Sequence, residues 1–377
     1  MHRRELLKGL AFASASALLS SCAPKHVQAT LPTAPATPCL PRVNVAQDRI
    51  IRSICGLRPY RRSGFVVRPE KFGDTLVVHN YGHGGTGITL SWGTAKLAVD
   101  MGAPGHSGPV AVLGSGVVGL STARLLQEAG FSVTIYAKDL PPNTTSNVAG
   151  GWWYPVTLFD HEFVTPAFND QFAAACRYAF QRYQIMVGSR YGVRWNPSYS
   201  LSHHAFPTAG DFSPQGVVGS LLPEFRYISG SQTPFRGYEY ERHFDTMLIE
   251  PPIYLPAMMQ DFRMAGGKMV VREFHTPGEV ASLSEKLVFN CTGLGAKALF
   301  NDAELTPIKG QLTFLLPQPE VEYSVVHDGG LYMFSRNDGV LLGGTHDEGD
   351  WSLNVDNQVR DQIVAEHKTF FDSMRAC

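Results

Sequence analysis

The sequence has almost no net charge and no pattern typical of a metal site. Its 32 lysines and arginines balance 33 aspartates and glutamates, which argues against nucleic acid or another strongly charged partner. Its cysteines form no CxxC pair, and no Cys/His cluster has the spacing of zinc ligands. We therefore expect no metal, and the spacing leaves any disulfide unassigned. The six cysteines are Cys22, Cys39, Cys55, Cys176, Cys291 and Cys377.

The N-terminus lacks an apolar run long enough to anchor the chain in a bilayer. Residues 9–19 are apolar but too few to span it. Arg3 and Arg4 precede them, and a charged segment before a short apolar one is typical of a signal peptide. The paired arginines resemble a twin-arginine export signal. Residues 19–22 resemble a lipobox, in which Cys22 is lipidated.

These features predict an export signal over residues 1–22 and a flexible tether over residues 23–44. The protein is then expected to be a membrane-tethered lipoprotein or a periplasmic protein. An ordinary secretory signal with a chance pair of arginines is the alternative. Twin-arginine export carries folded proteins, which suits a protein that receives a cofactor before export.

Residues 77–95 place four glycines in a six-residue loop between an apolar strand and a helical pattern. Glycine has no Cβ, so a ligand can approach such a backbone closely. The amide groups at the start of the following helix favour anions and polar rings. The glycines alone leave open a simple tight turn between a strand and a helix.

Residues 110–126 begin with a fully apolar strand, as expected of a central parallel strand, and continue through G-x-G-x-x-G into a helix. In this context Gly114 makes the turn, Gly116 admits a pyrophosphate, and Gly119 lets the helix and the strand pack closely. The pattern predicts a dinucleotide-binding site in an α/β, doubly wound domain.

The segment after the second strand departs from the dinucleotide fingerprint by one residue. Lys138 stands where a ribose-binding carboxylate is expected, and Asp139 follows it, so ribose recognition shifts by a residue or uses the backbone. The three hydroxyl side chains of residues 144–146 can bind a phosphate or a ribose. The glycines and aromatics of residues 150–154 suit close approach to a flat ring. A capped loop leading to a buried aromatic cluster is the alternative.

Arg58 is a candidate for binding a carboxylate. Pro59 holds the preceding residue extended, so we expect Arg58 at the end of a strand that begins with residues 50–55. A guanidinium held in this way can bind a carboxylate through two parallel hydrogen bonds. A solvated surface shared with Arg61 and Arg62 is the alternative.

The remaining chain predicts further helices and strands from its periodicity. A strand over residues 268–274 is expected to keep Val270 and Val271 inside. Thr292 ends an apolar strand, where cofactor contacts are expected in a doubly wound fold. The predicted helices are 165–188, 254–264 and 358–374; the antiparallel strands are 309–316 and 323–327; the hairpin spans 331–344 and turns at 337–339.

Taken together, these motifs resemble the D-amino-acid oxidase family of flavoenzymes. The resemblance extends over nearly all of the chain from residue 50 onwards, and it implies FAD as the cofactor. It also implies a FAD-binding, Rossmann-like doubly wound domain beside an antiparallel-sheet (α+β) substrate domain. The segments that carry it are 77–95, 112–121, 144–153, 290–293, 343–345 and 349–351.

The order of these motifs differs from that of the family, in which the arginine segment and the glycine loop come last. Here they precede the dinucleotide motif, so the chain resembles a circularly permuted member with its new joint in an exposed loop. The organisation that follows is a permuted C-terminal segment over 45–100, a joint over 101–109, a FAD-binding domain over 110–165 and 265–305, and a substrate domain over 166–264 and 306–377.

The resemblance implies oxidation of a D-amino acid by hydride transfer to flavin N5, with molecular oxygen as the acceptor. The products are a 2-oxo acid, ammonia and hydrogen peroxide. Arg58 would bind the substrate carboxylate, Tyr332 would donate its hydroxyl to it, and the carbonyl of Gly85 would receive the substrate ammonium. Positioning of the substrate then carries the catalysis.

The resemblance also implies a set of FAD contacts, among them the backbone amides of residues 84–89, which would stabilise the reduced ring electrostatically. The implied FAD contacts are Gly84, Gly85, Thr86, Gly87, Ile88, Thr89, Gly114, Ser115, Gly116, Val118, Gly119, Lys138, Asp139, Thr144, Thr145, Ser146, Gly150, Gly151, Trp152, Phe274 and Thr292.

Three positions bear on the substrate pocket. Residues 328–330 form a short loop before Tyr332, which predicts an open site, and Tyr154 is expected to narrow the pocket. Arg336 near the hairpin turn is expected to face solvent rather than to select acidic substrates.

Three other functions fit parts of the sequence. A membrane-tethered flavin dehydrogenase would pass electrons to a quinone instead of oxygen, and release of peroxide in air would exclude it. A lipoprotein that binds small amino acids without turnover would lack bound flavin. A nicotinamide-dependent reductase fits the G-x-G-x-x-G alone, but the glycine loop argues against it.

Overall fold

The computed structural model describes residues 39–229 and 232–375. Its strands belong to two β-sheets. In chain order the strands are β1 (Ile50–Tyr60), β2 (Val66–Phe72), β3 (Thr75–Tyr81), β4 (Val110–Leu113), β5 (Val133–Ala137), β6 (Val193–Ser202), β7 (Arg226–Ser229), β8 (Tyr240–Ile249), β9 (Lys268–Val271), β10 (Leu287–Asn290), β11 (Thr306–Leu315), β12 (Ser324–His327), β13 (Tyr332–Arg336), β14 (Gly339–Gly343) and β15 (Asp347–Glu348).

Two of the long helices, α4 (Pro166–Gln184) and α8 (Asn357–Ser373), begin at a side-chain cap. The side chain of Thr165 accepts a hydrogen bond from the Phe168 amide before the fourth helix, and Asp356 caps the last helix in the same way. The α-helices are α1 (Gly87–Gly102), α2 (Val117–Glu128), α3 (Thr145–Val148), α4 (Pro166–Gln184), α5 (Pro251–Met264), α6 (Pro277–Ala281), α7 (Ala296–Leu299) and α8 (Asn357–Ser373).

The first sheet has the order β2-β3-β10-β4-β5-β9. All neighbours in it are parallel except β2 and β3. Strands β4 and β10 are buried at every residue, which explains their uninterrupted apolar sequence. The predicted doubly wound sheet is confirmed.

The second sheet has the order β1-β11-β14-β13-β12-β6-β8-β7, with β15 paired to β11. It is antiparallel except where β12 lies parallel to β6. The sequence predicts that residues 323–327 form an antiparallel strand. This is confirmed for the pairing of β12 with β13 and is wrong for its pairing with β6, which is parallel. A parallel pair needs a long crossover, and the chain between β6 and β12 includes five strands, β7 to β11, and three helices, α5 to α7.

The two sheets share one hydrophobic core. A single buried cluster contains Val112 of β4, Trp92 of α1, Phe172 of α4, and Phe244 and Phe334 of the second sheet. The described residues accordingly fall in one compact unit. This shared core fixes the two sheets against each other, so that side chains from both can line one site.

Two expected strands have different bounds. Strand β1 continues to Tyr60 because its ladder with β11 is unbroken there, so Arg58 lies within the strand rather than at its end. The strand predicted over 268–274 ends at Val271. It is an edge strand, and Val270 and Val271 are 40% and 69% exposed, so the prediction that they lie inside is wrong.

The predicted helices and hairpin are present with small shifts. The helix expected over 165–188 ends at Gln184, and the one expected over 254–264 begins at Pro251. Strands β13 and β14 form the hairpin, joined at Asn337 and Asp338.

The predicted export signal and residues 23–38 of the predicted tether lie outside the described residues. At the other end of the predicted tether, Val43 is buried in a core cluster and the Asn44 amide donates to Gln318, so the prediction of a flexible tether is wrong there. Within the described part of the chain, no helix has both the length and the apolar character needed to cross a bilayer. Cys39 is disulfide-bonded.

Candidate active site

A cavity of about 1320 Å³ is lined by residues of both sheets. This volume is above the usual range of roughly 300–1,000 Å³ for a small-molecule site, so a dinucleotide and a substrate can share it. One end, here called the nucleotide end, is lined by the loops after β4, β5 and β9. The other, the substrate end, is lined by Arg58, Tyr332 and strands of the second sheet.

The three glycines of the G-x-G-x-x-G motif have the geometry that a dinucleotide site requires. Gly114 has φ +102°, and a Cβ there would lie 2.5 Å from the carbonyl oxygen of Cys291. A Cβ on Gly119 would lie 2.0 Å from the carbonyl oxygen of Gly114, so only glycine lets α2 pack against this turn. Gly116 is the N-cap of α2 and has no side chain that could cap the helix. The Ser146 hydroxyl accepts from the first amide of the helix, that of Val117, and the positive end of the helix favours a pyrophosphate.

The hydroxyl groups around this turn bind the protein itself. Ser115 donates to the carbonyl oxygen of Asp139 at 2.6 Å. The hydroxyl of Ser146 accepts from the Val117 amide at 3.0 Å. Thr144 forms a capping box with Asn147. These bonds fix the shape of the nucleotide end before any ligand is bound.

Charged groups stand at the rim of the nucleotide end. Lys138 pairs with Glu273 at 3.0 Å, and both side chains are about half exposed. Arg272 has its guanidinium carbon 4.4 Å from the ring centre of Phe274 and lines the cavity. Sequence reasoning missed Arg272; its position at the end of a parallel strand could have indicated it.

The glycine loop leads into α1 at the centre of the cavity. A 3₁₀ turn over Gly84–Thr86 precedes the helix, and α1 begins without a side-chain cap. Gly87, Ile88 and Thr89 line the cavity, so the positive end of the helix dipole faces it. The residues present therefore fit a flavin ring at this point.

Gly84 and Gly85 allow this loop to pass close to the chain at Thr157. Gly84 has φ +52°, and a Cβ there would lie 2.1 Å from the carbonyl oxygen of Thr157. The amide of Gly85 donates to the same oxygen at 2.9 Å. A larger residue at position 84 would break this contact.

A buried histidine supports the loop from behind. The His83 ring is hydrogen-bonded to the Thr94 hydroxyl at 2.8 Å and stacks on Phe65. Burial lowers the pKa of His83 to about 3, so the ring is neutral at physiological pH and adds no charge beside the loop.

At the substrate end, Arg58 and Tyr332 meet. Nη2 of Arg58 lies 3.3 Å from the Tyr332 hydroxyl, and Nη1 donates to the carbonyl oxygen of Thr345 at 3.4 Å. Both bonds are long, and no carboxylate in residues 39–229 and 232–375 pairs with Arg58. The guanidinium can therefore receive a carboxylate from a ligand.

Two glycines on neighbouring strands make room for these side chains. A Cβ on Gly310 would lie 2.6 Å from both terminal nitrogens of Arg58. A Cβ on Gly343 would lie 2.1 Å from the ring of Tyr332. Gly343 lies in a segment that carries the resemblance, but its role beneath the tyrosine was not predicted, and Gly310 was missed. Only the register of β11 and β14 brings the two glycines under these side chains.

Gly85 lies beside Arg58. A Cβ on Gly85 would be 3.6 Å from Cδ of Arg58, so the glycine loop and the arginine meet at the substrate end. The structure thus brings together the three residues proposed to bind substrate, Arg58, Tyr332 and Gly85. Their roles stay predictions.

An aromatic wall, here meaning Trp152, Tyr154 and Phe334 with Phe244 packed behind them, borders the substrate end. The first three line the cavity, and Phe244 is fully buried. Trp152 stacks on Tyr154 at 4.6 Å and on Phe334 at 5.5 Å between ring centres. Tyr154 also stacks on Phe244 at 5.2 Å, and burial raises its pKa to about 12. The ring faces suit an aliphatic part of a substrate, and the Tyr154 hydroxyl is buried without a hydrogen-bond partner among the described residues.

The expectation for Arg336 is wrong. Its side chain is buried, pairs with Asp338 at 2.8 Å and donates to the carbonyl oxygen of Ala149 at 2.9 Å. It therefore ties the hairpin to the loop before the aromatic wall instead of facing solvent.

Most of the expected FAD contacts line the cavity, with two exceptions. The Thr86 hydroxyl donates to the carbonyl oxygen of His83, and its amide bonds to the same residue, so it holds the turn from inside. Gly119 packs against Gly114 as described above. Those that line the cavity are Gly84, Gly85, Gly87, Ile88, Thr89, Gly114, Ser115, Gly116, Val118, Lys138, Asp139, Thr144, Thr145, Ser146, Gly150, Gly151, Trp152, Phe274 and Thr292.

The fold and this cavity define a flavin-dependent oxidoreductase, and comparison with known families gives the family. Residues 25–101 and 109–376 match the family described as FAD dependent oxidoreductase (DAO). The chain belongs to this D-amino-acid oxidase family, and FAD is its cofactor.

Two similar proteins are named as oxidases of D-amino acids. The chain is 30% identical to a human D-aspartate oxidase over 266 residues, covering 68% of this chain and 74% of that protein. It is also 30% identical to a D-amino-acid oxidase of Rubrobacter xylanophilus over 257 residues, covering 67% and 74%. The chain is therefore a flavin oxidoreductase of this superfamily.

Solved structures share the fold at low sequence identity. A glycine oxidase from Bacillus cereus aligns with a TM-score of 0.53 at 15% identity, covering 70% of this chain and 78% of that one. An L-α-glycerophosphate oxidase from Mycoplasma pneumoniae, solved with FAD bound, aligns with a TM-score of 0.52 at 13% identity, covering 71% and 79%. These two similarities concern the fold alone.

Proposed function

We propose that this protein oxidises D-amino acids to 2-oxo acids and ammonia, with molecular oxygen as the final acceptor. The observation that carries the proposal is the meeting of Arg58, Tyr332 and Gly85 beside the start of α1. The names of the relatives support it, because both D-amino-acid oxidase and D-aspartate oxidase occur among them.

Each residue at the substrate end has a defined task in this proposal. The unpaired guanidinium of Arg58 binds the α-carboxylate through two charge-assisted hydrogen bonds, and Tyr332 donates its hydroxyl to the same group. The carbonyl of Gly85 accepts a hydrogen bond from the substrate ammonium. When bound, FAD would supply the acceptor for the α-hydrogen as hydride. The ammonium would release a proton, and water would hydrolyse the resulting imino acid to the 2-oxo acid and ammonia.

The rest of the substrate end acts by positioning and by excluding water. Gly310 and Gly343 allow Arg58 and Tyr332 to lie flat on the sheet, so neither side chain must reorganise when substrate enters. The aromatic wall covers the α-carbon side chain with apolar surface. Binding energy at the carboxylate thereby orients the reacting carbon.

The proposal is tested by mixing the purified holoenzyme anaerobically with a panel of D- and L-amino acids and following the flavin absorbance. We expect D-amino acids to bleach the flavin and their L-enantiomers to leave it oxidised. Readmission of air should restore the spectrum and release hydrogen peroxide. Bleaching by L-amino acids alone, or by no amino acid, would contradict the proposal. Bleaching by D-amino acids without release of peroxide in air would show that the electrons pass to an acceptor other than oxygen.

We also propose that the protein is exported and tethered through a lipid on Cys22. The paired arginines and the lipobox-like residues 19–22 support this. Radioactive palmitate should label the wild type during growth and leave Cys22→Ser unlabelled, while Arg3→Lys with Arg4→Lys should stay in the cytoplasm. Equal labelling of the wild type and Cys22→Ser would refute the lipid anchor.

We further propose that the chain is a circular permutation of its family. The ends of the described chain lie together, since Arg42 donates to the carbonyl oxygen of Met374 at 2.5 Å, and Val43 and Met374 share a core cluster. The family match falls in two segments that break near the predicted joint. The similarity to each relative covers about the length of the second segment.

The permutation is tested by moving residues 45–100 behind Cys377 through a short flexible linker. The rearranged protein should bind FAD and keep the turnover of the original chain within a few-fold. A soluble, flavin-free product, or none, would contradict the proposal.

A further inference from the structure

The substrate end of the cavity contains a second arginine to which no role has been given above. Three arginines line the cavity, Arg58, Arg242 and Arg272. Within residues 39–229 and 232–375, none of them has a carboxylate within salt-bridge distance. Arg58 is assigned to the substrate carboxylate, and Arg272 stands at the nucleotide end. Arg242 lies on β8, on the substrate side.

The register of the second sheet places Arg242 on the same ladder as Tyr332. Tyr332 of β13 is opposite Val326 of β12, Val326 is opposite Ser200 of β6, and Ser200 is opposite Arg242. Side chains of directly opposed residues point to the same face of a sheet. All four line the cavity. Three strand spacings separate Tyr332 from Arg242, a distance of about 14 Å between Cα atoms.

Arg242 is held in place without neutralisation of its charge. Its guanidinium carbon lies 4.1 Å from the ring centre of Phe206, and Nη1 donates to the carbonyl oxygen of Phe212 over a long 3.4 Å. Its Nε is buried and has no hydrogen-bond partner. A half-buried charge in this state is costly unless an anion joins it.

Of the carboxylates that line the cavity, Asp328 stands on the substrate side, just after β12. Its Oδ2 accepts a hydrogen bond from the Ser202 hydroxyl at 3.1 Å and another from the His203 amide at 2.5 Å. Its Oδ1 is buried without a hydrogen-bond partner among the described residues and lies 3.8 Å from Nε2 of His203. Within the described part of the chain, Asp328 forms no ion pair with Arg242. The cation of Arg242 thus remains available to a ligand.

The substrate end therefore presents one cation at each side of an apolar surface. Arg58 and Tyr332 stand at one side, Arg242 stands at the other, and the aromatic wall borders the space between them. A molecule complementary to this arrangement carries two anionic groups joined by methylene groups. Neutral or cationic side chains would leave Arg242 unpaired or repelled.

We propose that Arg242 binds a carboxylate on the substrate side chain, so that the preferred substrates are acidic D-amino acids. This inference rests on the proposed function, because it uses the α-carboxylate site at Arg58. Arg242 would act as a specificity-determining residue, and its long stem would place the guanidinium over the space beside the aromatic wall.

The test compares D-glutamate with D-glutamine, which have nearly the same shape and differ in side-chain charge. The holoenzyme and Arg242→Gln are each mixed anaerobically with both amino acids, and the apparent second-order rate of flavin bleaching is measured. We expect the wild type to favour D-glutamate by about 10²-fold and the variant to lose about 10–100-fold on D-glutamate. The rate with D-glutamine should change less than about threefold.

Arg226→Gln is the matched control. Arg226 lies on the neighbouring strand β7, is 46% exposed at its side chain, and pairs with Glu224 at 3.6 Å. It does not line the cavity. This variant should keep the wild-type preference, which separates a contact at the site from a general loss of positive charge.

The outcomes separate the inference from the proposed function. Bleaching by D-alanine and D-glutamine as fast as by D-glutamate would overturn the role of Arg242 and leave D-amino-acid oxidation intact. Failure of every D-amino acid to bleach the flavin would overturn both. If Arg242→Gln does not retain flavin, the wild-type ratio decides alone: a preference for D-glutamate below about tenfold overturns the inference.

Discussion

The nucleotide end and the substrate end of the cavity are formed by different kinds of structural element. At the nucleotide end the contacts come from short contiguous loops, and glycines with positive φ or close carbonyl neighbours determine them, as at Gly114 and Gly119. At the substrate end they come from single side chains on separate strands, such as Arg58 and Tyr332. The first end is set by local sequence, and the second depends on strand register.

This difference implies that the two ends can be damaged separately. A change in the local loop should remove the cofactor and with it all activity. A change on a strand of the second sheet should leave the cofactor in place and alter only how substrate is held. The predictions below test whether the two ends separate in this way.

The largest effect is expected from Arg58→Ala. Removal of two charge-assisted hydrogen bonds to the substrate carboxylate should lower kcat/KM by about 10²–10⁴-fold, mainly through KM. The flavin spectrum should be unchanged. Steady-state kinetics with a D-amino acid measure this. Arg52→Ala is the control, because Arg52 lies on the same strand, pairs with Asp338 and is 43% exposed at its side chain; equal losses in both variants would contradict the assignment.

Gly114→Ala should weaken the binding of FAD at the nucleotide end. The new Cβ would meet the Cys291 carbonyl at 2.5 Å in a backbone with φ +102°, so the turn must shift, and FAD affinity should fall about 10²-fold. Fluorescence titration of apoprotein with FAD measures the change. Gly130→Ala has a similar φ, +91°, with nothing within 4 Å, and should bind FAD nearly normally. If it lost FAD equally, strain rather than the close contact would be responsible.

Gly310→Ala should impair the substrate end and leave the nucleotide end intact. Its Cβ would displace the Arg58 guanidinium without entering backbone, so the fold and the flavin should be retained. We expect kcat/KM to fall about 10–30-fold, less than in Arg58→Ala, because the displaced arginine still carries its charge. Gly278→Ala, where the nearest atom is 3.8 Å away, is the control. Normal kinetics in Gly310→Ala would show that Arg58 need not lie against β11.

The smallest effect concerns His83 behind the glycine loop. Its pKa falls from 6.5 to about 3 on burial, so between these values the unfolded chain binds the extra proton. The stability that neutral His83 contributes is complete above pH 6.5 and is lost as pH falls towards 3. Between pH 7.0 and 5.5 this amounts to about 1 kcal/mol.

Urea unfolding of the wild type and His83→Gln at these two pH values measures this loss. Between pH 7.0 and 5.5, the free energy of unfolding should fall by about 1 kcal/mol less in the variant than in the wild type. His204→Gln, at an exposed position, should follow the wild type. A pH dependence unchanged in His83→Gln would show that this histidine does not titrate on unfolding.

The same contrast between the two ends explains what the sequence could predict. The G-x-G-x-x-G motif and the glycine loop were readable because their conformations depend on a few consecutive residues. The roles of Gly310 and Arg242 could not be predicted, because they depend on which strands lie beside β11 and β8 in the sheet. Arg336 was misjudged for the same reason: Asp338 is close in sequence, but Ala149, which its guanidinium also contacts, is 187 residues away.

The pairing of β1 with β11 has a consequence for synthesis on the ribosome. The hydroxyls of Ser53 and Thr313 meet across this pair although they are 260 residues apart, and β3 likewise waits for β10. At roughly 5–20 residues per second, the first strands leave the ribosome about 13–50 s before β11 is made. During that interval β1 has no partner strand and one edge of β3 stays unpaired, because only β2 is present beside it. Both edges remain exposed to wrong pairing until roughly the last quarter of the chain is translated.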